Sequence, residues 1–108
     1  MNVKKQGEIT IVSIVERFDA NVAKDVEQEF KNILGSGVNK LVCDFSGTDY
    51  ISSAGLRVIL SIAKALEKSG GKVALCSLKP YVKEVFDMAG FSQILKIFAT
   101  QEEALKLF

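Results

Sequence analysis

The sequence predicts one α/β domain: a mixed, mostly parallel β-sheet of four to five strands packed with four helices. Three observations carry this expectation. The chain has 108 residues, close to the commonest size of a single domain. Strand-like segments alternate with segments of helical periodicity four times over, and parallel strands joined by helical crossovers are the economical solution to that order. The runs at 41–45 and 73–76 are almost continuously apolar, which suits central strands covered on both faces.

The elements follow in order. Residues 2–5, NVKK, form a short edge strand that turns at Gln6-Gly7. Residues 8–16, EITIVSIVE, are rich in β-branched side chains and read as a strand. Asp19 offers a cap to a helix over 20–34, in which Val22, Val26, Phe30 and Ile33 recur at helical spacing, and Gly35 stands where such a helix stops. NKLVCDF is the next strand, and KVALCS follows Gly70-Gly71. Between them a helix runs from about Ser53 to Ser69. Pro80 suits a first helical position, and PYVKEVFDMA closes at Gly90. QILKIF reads as a last strand. Thr100 with Glu103 has capping-box spacing for a final helix ending at Phe108.

Composition narrows the function. Hydrophobic residues make up 48% and charged residues 25%, as in an ordinary globular domain. Fourteen basic against thirteen acidic residues leave a formal charge of +1, with no basic stripe to meet nucleic acid. The N-terminal lysines precede an apolar run, but Gln6, Glu8, Thr10 and Ser13 interrupt it and no small-residue cleavage site follows. No window has the length of a membrane span. A cytoplasmic protein is expected, with neither membrane nor direct nucleic-acid binding. Cys43 and Cys76 lie in apolar segments and read as buried thiols.

The chain contains no histidine, so Ser-His-acid and Cys-His nucleophile systems cannot be assembled. No P-loop, nucleophile elbow or dinucleotide fingerprint occurs. Metal and cofactor are therefore not expected, and no catalytic residue is assigned. A phosphoacceptor receiver domain shares this size and alternation, and Asp44 or Asp49 could serve as its acceptor. Only Asp19 lies near the end of the first strand, however, with no acidic neighbour to help hold Mg²⁺.

The segment DYISSAGLRVIL concentrates what remains. In the helix from Ser53, the polar residues Arg57, Ser61, Lys64 and Lys68 are spaced by four, three and four, which makes one exposed stripe. One turn before Arg57 stands Ser53, at the head of that stripe. A helix N-terminus favours an anion, and Arg57 adds a nearby charge. Ser53 is thus a plausible phosphate carrier, while the residue chemistry alone favours simple capping by Ser52 or Ser53, and both roles can hold together with one serine capping and the other modified. Gly55 has no side chain and would let a partner approach the helix entrance.

The stretch LVCDFSGTDYISSAGLRVIL resembles the signature of the bacterial anti-sigma factor antagonists, the STAS-domain proteins: an apolar strand ending in Asp, a short loop, then a Ser-Ser-Ala-Gly-Leu type of helix entrance. The resemblance extends over residues 1–108, since RFDA, GGKVALCSLKPYVKEVFDMAGF and the final strand and helix fall in the family's order. It implies a partner-switching protein. Such proteins bind an anti-sigma factor that is also a serine kinase, freeing a sigma factor; phosphorylation from ATP ends that binding, and a metal-dependent Ser/Thr phosphatase restores it. Aligning Gly55-Leu56 with the family's Gly-Leu places the acceptor at Ser53, with Ser52 the less favoured alternative. Asp44, Gly47, Tyr50, Ile51, Ser52, Ser53, Ala54, Gly55 and Arg57 are the expected contact residues. Ser52 stands where one version of the motif has Asp, Ala54 replaces a second hydroxyl residue, and Arg57 replaces a common small residue. The expected state is a monomer or weak dimer. A non-switching STAS scaffold, a transporter-associated subunit and a small nucleotide-binding protein or enzyme are the other readings.

Overall fold

The computed structural model describes all 108 residues. Its elements are β1 (Asn2–Gln6), β2 (Ile9–Ser13), β3 (Arg17–Phe18), α1 (Ala20–Gly35), β4 (Lys40–Asp44), β5 (Tyr50–Ile51), α2 (Ser53–Lys68), β6 (Lys72–Cys76), α3 (Pro80–Met88), a 3₁₀ turn (Phe91–Gln93), β7 (Lys96–Phe98) and α4 (Gln101–Leu105). The five-stranded sheet has the order β1-β2-β4-β6-β7. Only β1 is antiparallel, paired to β2 through a turn in which Gly7 takes a left-handed φ of 63°.

Each crossover from β2 to β7 moves one strand in the same direction. A constant hand of connection therefore lays successive helices on one face. The larger core lies there, joining Val26 and Phe30 of α1, Ile59 and Ile62 of α2 and Val82 and Phe86 of α3 to the sheet. The ring of Phe86 meets Phe45 edge-on at 5.7 Å, anchoring α3 beside the end of β4. On the other face only α4 and the residues after it cover Ile11, Val42, Ala74 and Cys76. Because both faces are covered, Leu41, Val42 and Cys43 are all buried, which is why β4 reads as a continuous apolar run.

Cys43 belongs to the larger core and Cys76 to the smaller, so the two thiols stand on opposite faces and no disulfide joins them. Burial raises the pKa of Cys43 and pushes that of Cys76 up to about 11, which keeps both in the unreactive thiol form.

Several boundaries differ from expectation. The strand expected over 8–16 ends at Ser13, and Arg17–Phe18 forms a separate short pairing with Tyr50–Ile51. Gly35 is the last residue of α1, not the stop; the left-handed residue is Gly37, at φ 93°. The final strand begins at Lys96, since Phe91–Gln93 turn and Ile94 and Leu95 both donate back to the Phe91 carbonyl. The last helix ends at Leu105 in i→i−3 turns instead of reaching Phe108. No helix is long and apolar enough to cross a membrane.

Candidate functional site

The entrance to α2 is built by three local devices. Ser52 holds an extended conformation, and its hydroxyl oxygen accepts from the Gly55 amide at 3.2 Å, the geometry of an N-cap. The Ser52 amide in turn donates to the Phe18 carbonyl at 2.9 Å, which fastens the entrance to β3. Thr48, fully buried, donates its hydroxyl to the Val15 carbonyl at 2.9 Å and holds the β4–β5 loop under the same edge. Ser52→Ala removes the cap acceptor. It should cost about 1 kcal/mol of unfolding free energy in urea denaturation while leaving the Ser53 hydroxyl in place.

Ser53 is the first residue of α2, exposed, and its hydroxyl makes no hydrogen bond within the protein. Arg57 lies one turn on, but its Nε donates to the Ser53 backbone carbonyl at 3.4 Å, not to the hydroxyl. Ser53, Arg57, Ser61, Lys64 and Lys68 are all exposed, so the stripe expected from their spacing is present. Helix phasing thus separates the two serines. One caps; the other is free.

Of the expected contact residues, Gly47, Tyr50, Ser53 and Arg57 are exposed, and Ser52 and Ala54 are partly so. Two are corrected. Ile51 is buried in the larger core, because β5 turns its side chain inward. Gly55 is buried as well. A Cβ there would lie 2.8 Å from the Phe18 carbonyl oxygen and 2.9 Å from Ile51 Cγ1, so the missing side chain admits β3 and β5, not a partner. Asp44 is only partly exposed. Its carboxylate accepts from the Ser46 amide and from Gln101 Nε2, each at 2.8 Å, and so ties the loop to α4.

The surface around Ser53 also contains Arg17, Lys79 and Tyr81, which the sequence did not single out, and they engage Tyr50 and Asp49, which it did. Arg17 stacks on the Tyr50 ring, 4.4 Å from its centroid, and its Nε donates to Asp19 at 3.1 Å. Asp49 accepts from Lys79 Nζ and, at 3.4 Å, from the Tyr81 hydroxyl, which joins the β4–β5 loop to the start of α3. Both tyrosines of the chain, Tyr50 and Tyr81, are thereby exposed yet held in place (42% and 52% exposed). The hydrogen bond from Lys79 holds the Asp49 carboxyl below the usual carboxylate range, and the same contact raises Lys79. A depressed carboxyl contributes to stability above its unfolded-state pKa and loses that contribution as pH falls through the folded value. An NMR titration should therefore find Asp49 protonating below an ordinary Asp, and in the Lys79→Ala variant its midpoint should rise towards that of an ordinary Asp.

This face offers a surface and not a pocket. The strand order never reverses, so the crevice that receives dinucleotides at a switch point of a doubly wound sheet has no counterpart. Hollows of about 410, 300 and 140 Å³ lie at the other edge of the sheet, and none is lined by Ser53 or its neighbours. No three His, Cys, Asp or Glu side chains converge as metal ligands would.

Comparison with known proteins accords with this geometry. The model of the STAS domain matches residues 1–104. BtrV of Bordetella bronchiseptica, assigned as an anti-sigma factor antagonist, is 42% identical over 86 residues, covering 80% of this chain and 74% of that protein. The crystal structure of a Thermotoga maritima protein assigned the same role superposes with a TM-score of 0.90 at 28% identity, covering 97% of this chain and 91% of that one. SpoIIAA, the Bacillus cell fate determinant, solved in its phosphorylated form, shares the fold with a TM-score of 0.73 at 19% identity, covering 97% and 96% of the two chains.

Proposed function

The chain belongs to the STAS-domain family, and we propose that it acts there as an anti-sigma factor antagonist, switched off by phosphorylation of Ser53. In this reading the unmodified protein binds an anti-sigma factor that is also a serine kinase, and so releases a sigma factor in the cytoplasm. The kinase transfers the γ-phosphoryl group of ATP to Ser53, and a metal-dependent Ser/Thr phosphatase removes it. The protein itself is a binding module.

One observation carries the assignment: Ser53 is exposed and unbonded at the first position of α2, whereas Ser52 is engaged as the cap. A phosphate on Ser53 gains from the unpaired amides and positive potential of the helix end. It brings about −1.5 to −2 charges to a surface where the uncharged Tyr50, Ala54 and Gly47 stand beside Arg57 and the paired charges Arg17–Asp19 and Lys79–Asp49. Relatives named as anti-sigma factor antagonists support the partner class, and a phosphorylated STAS relative supports the type of switch.

The site is tested by incubating the protein with the cognate kinase and ATP and mapping the product by tandem mass spectrometry. Phosphate is expected on Ser53, with labelling lost in Ser53→Ala and retained in Ser52→Ala. Labelling of Ser52, or undiminished labelling of Ser53→Ala, would overturn the assignment.

A further inference from the structure

The amino-terminal edge of the sheet, at the opposite end of α2 from Ser53, carries a second arrangement with its own chemistry. Strands β4, β6 and β7 each begin with a lysine: Lys40, Lys72 and Lys96. Lys40 and Lys72 are direct register partners, and Lys96 pairs with Ala74, two residues along from Lys72. Register partners project from the same face, and residues two apart share it, so all three lysines rise on the face covered by α4. Like charges opposite one another on a sheet repel. Lys40 is paired with Glu8 at 2.8 Å, but Lys72 and Lys96 have no counter-ion in the fold.

Beside these two lysines the surface forms a groove of about 410 Å³, lined also by Val73, Ile94, Leu95 and Leu107 and by a single acid, Glu67. A hollow of about 140 Å³ adjoins it, sharing Lys72 and Leu107 and reaching Lys40. The backbone leaves this room for a definite reason. Gly70 takes a left-handed φ of 88°, and its amide and that of Gly71 donate to the Glu67 and Leu66 carbonyls, closing α2 in a Schellman turn. No atom lies within 4 Å of the Cβ position of Gly70, which leaves the space beside the helix end open, whereas a Cβ at Gly71 would lie 2.6 Å from the Asn39 carbonyl oxygen, so that glycine lets the turn pack against the start of β4. Ile94, 56% exposed, is left uncovered on the groove wall. An apolar wall with a few convergent charged groups, in a volume of about 300–1,000 Å³, is the ordinary composition of a small-molecule site.

We propose that this groove binds a small amphiphilic anion, a carboxylate with an unbranched apolar chain. The chain lies over Ile94 and Leu107, and the carboxylate sits between Lys72 and Lys96. Two lysines against one glutamate leave the lining with a net charge of +1, so an anion is the complementary ligand. Its charge also supplies the counter-ion that Lys72 and Lys96 lack within the fold. This site is separate from the Ser53 surface and does not depend on the partner-switching reading.

The test is a ¹⁵N–¹H NMR titration of the intact protein with sodium decanoate, kept below its micelle concentration. Saturable shifts are expected at Gly70–Val73, Ile94–Lys96 and Leu107, with a dissociation constant of about 1 mM or tighter. Ser53 and its neighbours should not move. Lys72→Glu with Lys96→Glu should weaken binding at least tenfold, and Lys72→Gln with Lys96→Gln should do so in a milder form that retains the wild-type circular dichroism. Acetate, which has the head without the chain, should give no saturable shift. Unsaturable or dispersed shifts, unchanged affinity in both double variants, or acetate binding as tightly as decanoate would overturn the proposal. So would concentration-dependent shifts at these residues without decanoate, accompanied by a dimer mass in light scattering, since they assign the groove to a second copy of the chain.

Discussion

Ser53→Asp should weaken binding to the anti-sigma partner by about 30- to 1,000-fold, and it should leave the fold intact. The reasoning separates two effects of one negative charge. Within the protein the charge falls at the first position of α2, where the helix end favours anions by about 0.3–1 kcal/mol, so the thermal midpoint should hold or rise slightly. In the complex the same charge must be desolvated against a surface shaped for a neutral hydroxyl. Uncompensated interfacial charge costs about 2–4 kcal/mol, which is the stated range of affinity. Isothermal calorimetry with Ser53→Asp, Ser53→Ala and the wild type separates the cases. Ser53→Ala should bind like the wild type, since Ser53 offers no bond on which the entrance depends. Equal affinity for all three would remove electrostatic switching from the account.

Gly55→Ala should destabilise the protein by about 1–3 kcal/mol, although alanine is the better helix former. Its Cβ would meet the Phe18 carbonyl oxygen at 2.8 Å and Ile51 Cγ1 at 2.9 Å, and the first of these is backbone fixed by its hydrogen bond from Ser52. The clash can be relieved only by lifting the start of α2 away from β3 and β5. At this chain length the cost corresponds to a fall on the order of 5–20 °C in Tm. Gly35→Ala is the internal control. No atom lies within 4 Å of its Cβ position and its φ is not left-handed, so the substitution should be neutral or stabilise by up to about 1 kcal/mol. A stable Gly55→Ala protein would restore the view that this glycine faces a partner.

The contrast between these two glycines shows what was legible in the sequence. Helix starts were, because capping chemistry is local: Asp19, Ser52 and Thr100 each accept from an amide two or three residues on. The polar stripe from Ser53 was legible for the same reason, since period 3.6 is written in the spacing. Contacts between distant segments were not. The Arg17–Phe18 pairing with Tyr50–Ile51 involves two residues on each side, too short to leave a period, so nothing local shows that Gly55 faces that pair. The Asp49–Lys79–Tyr81 contacts join residues 30 and 32 positions apart, and the Lys40–Lys72–Lys96 arrangement exists only once the register is set. Ile94 is apolar and resembled part of a strand, yet it lies in a turn and is exposed, which no local pattern distinguishes.

The most direct measurement is release of a sigma factor from its preformed complex with the anti-sigma factor, followed by size-exclusion chromatography as the protein is added. Unmodified protein should displace the sigma factor in proportion to the amount added, and protein phosphorylated on Ser53 should displace none at the same concentration. Release that is equal for both forms, or absent for both, would contradict the account.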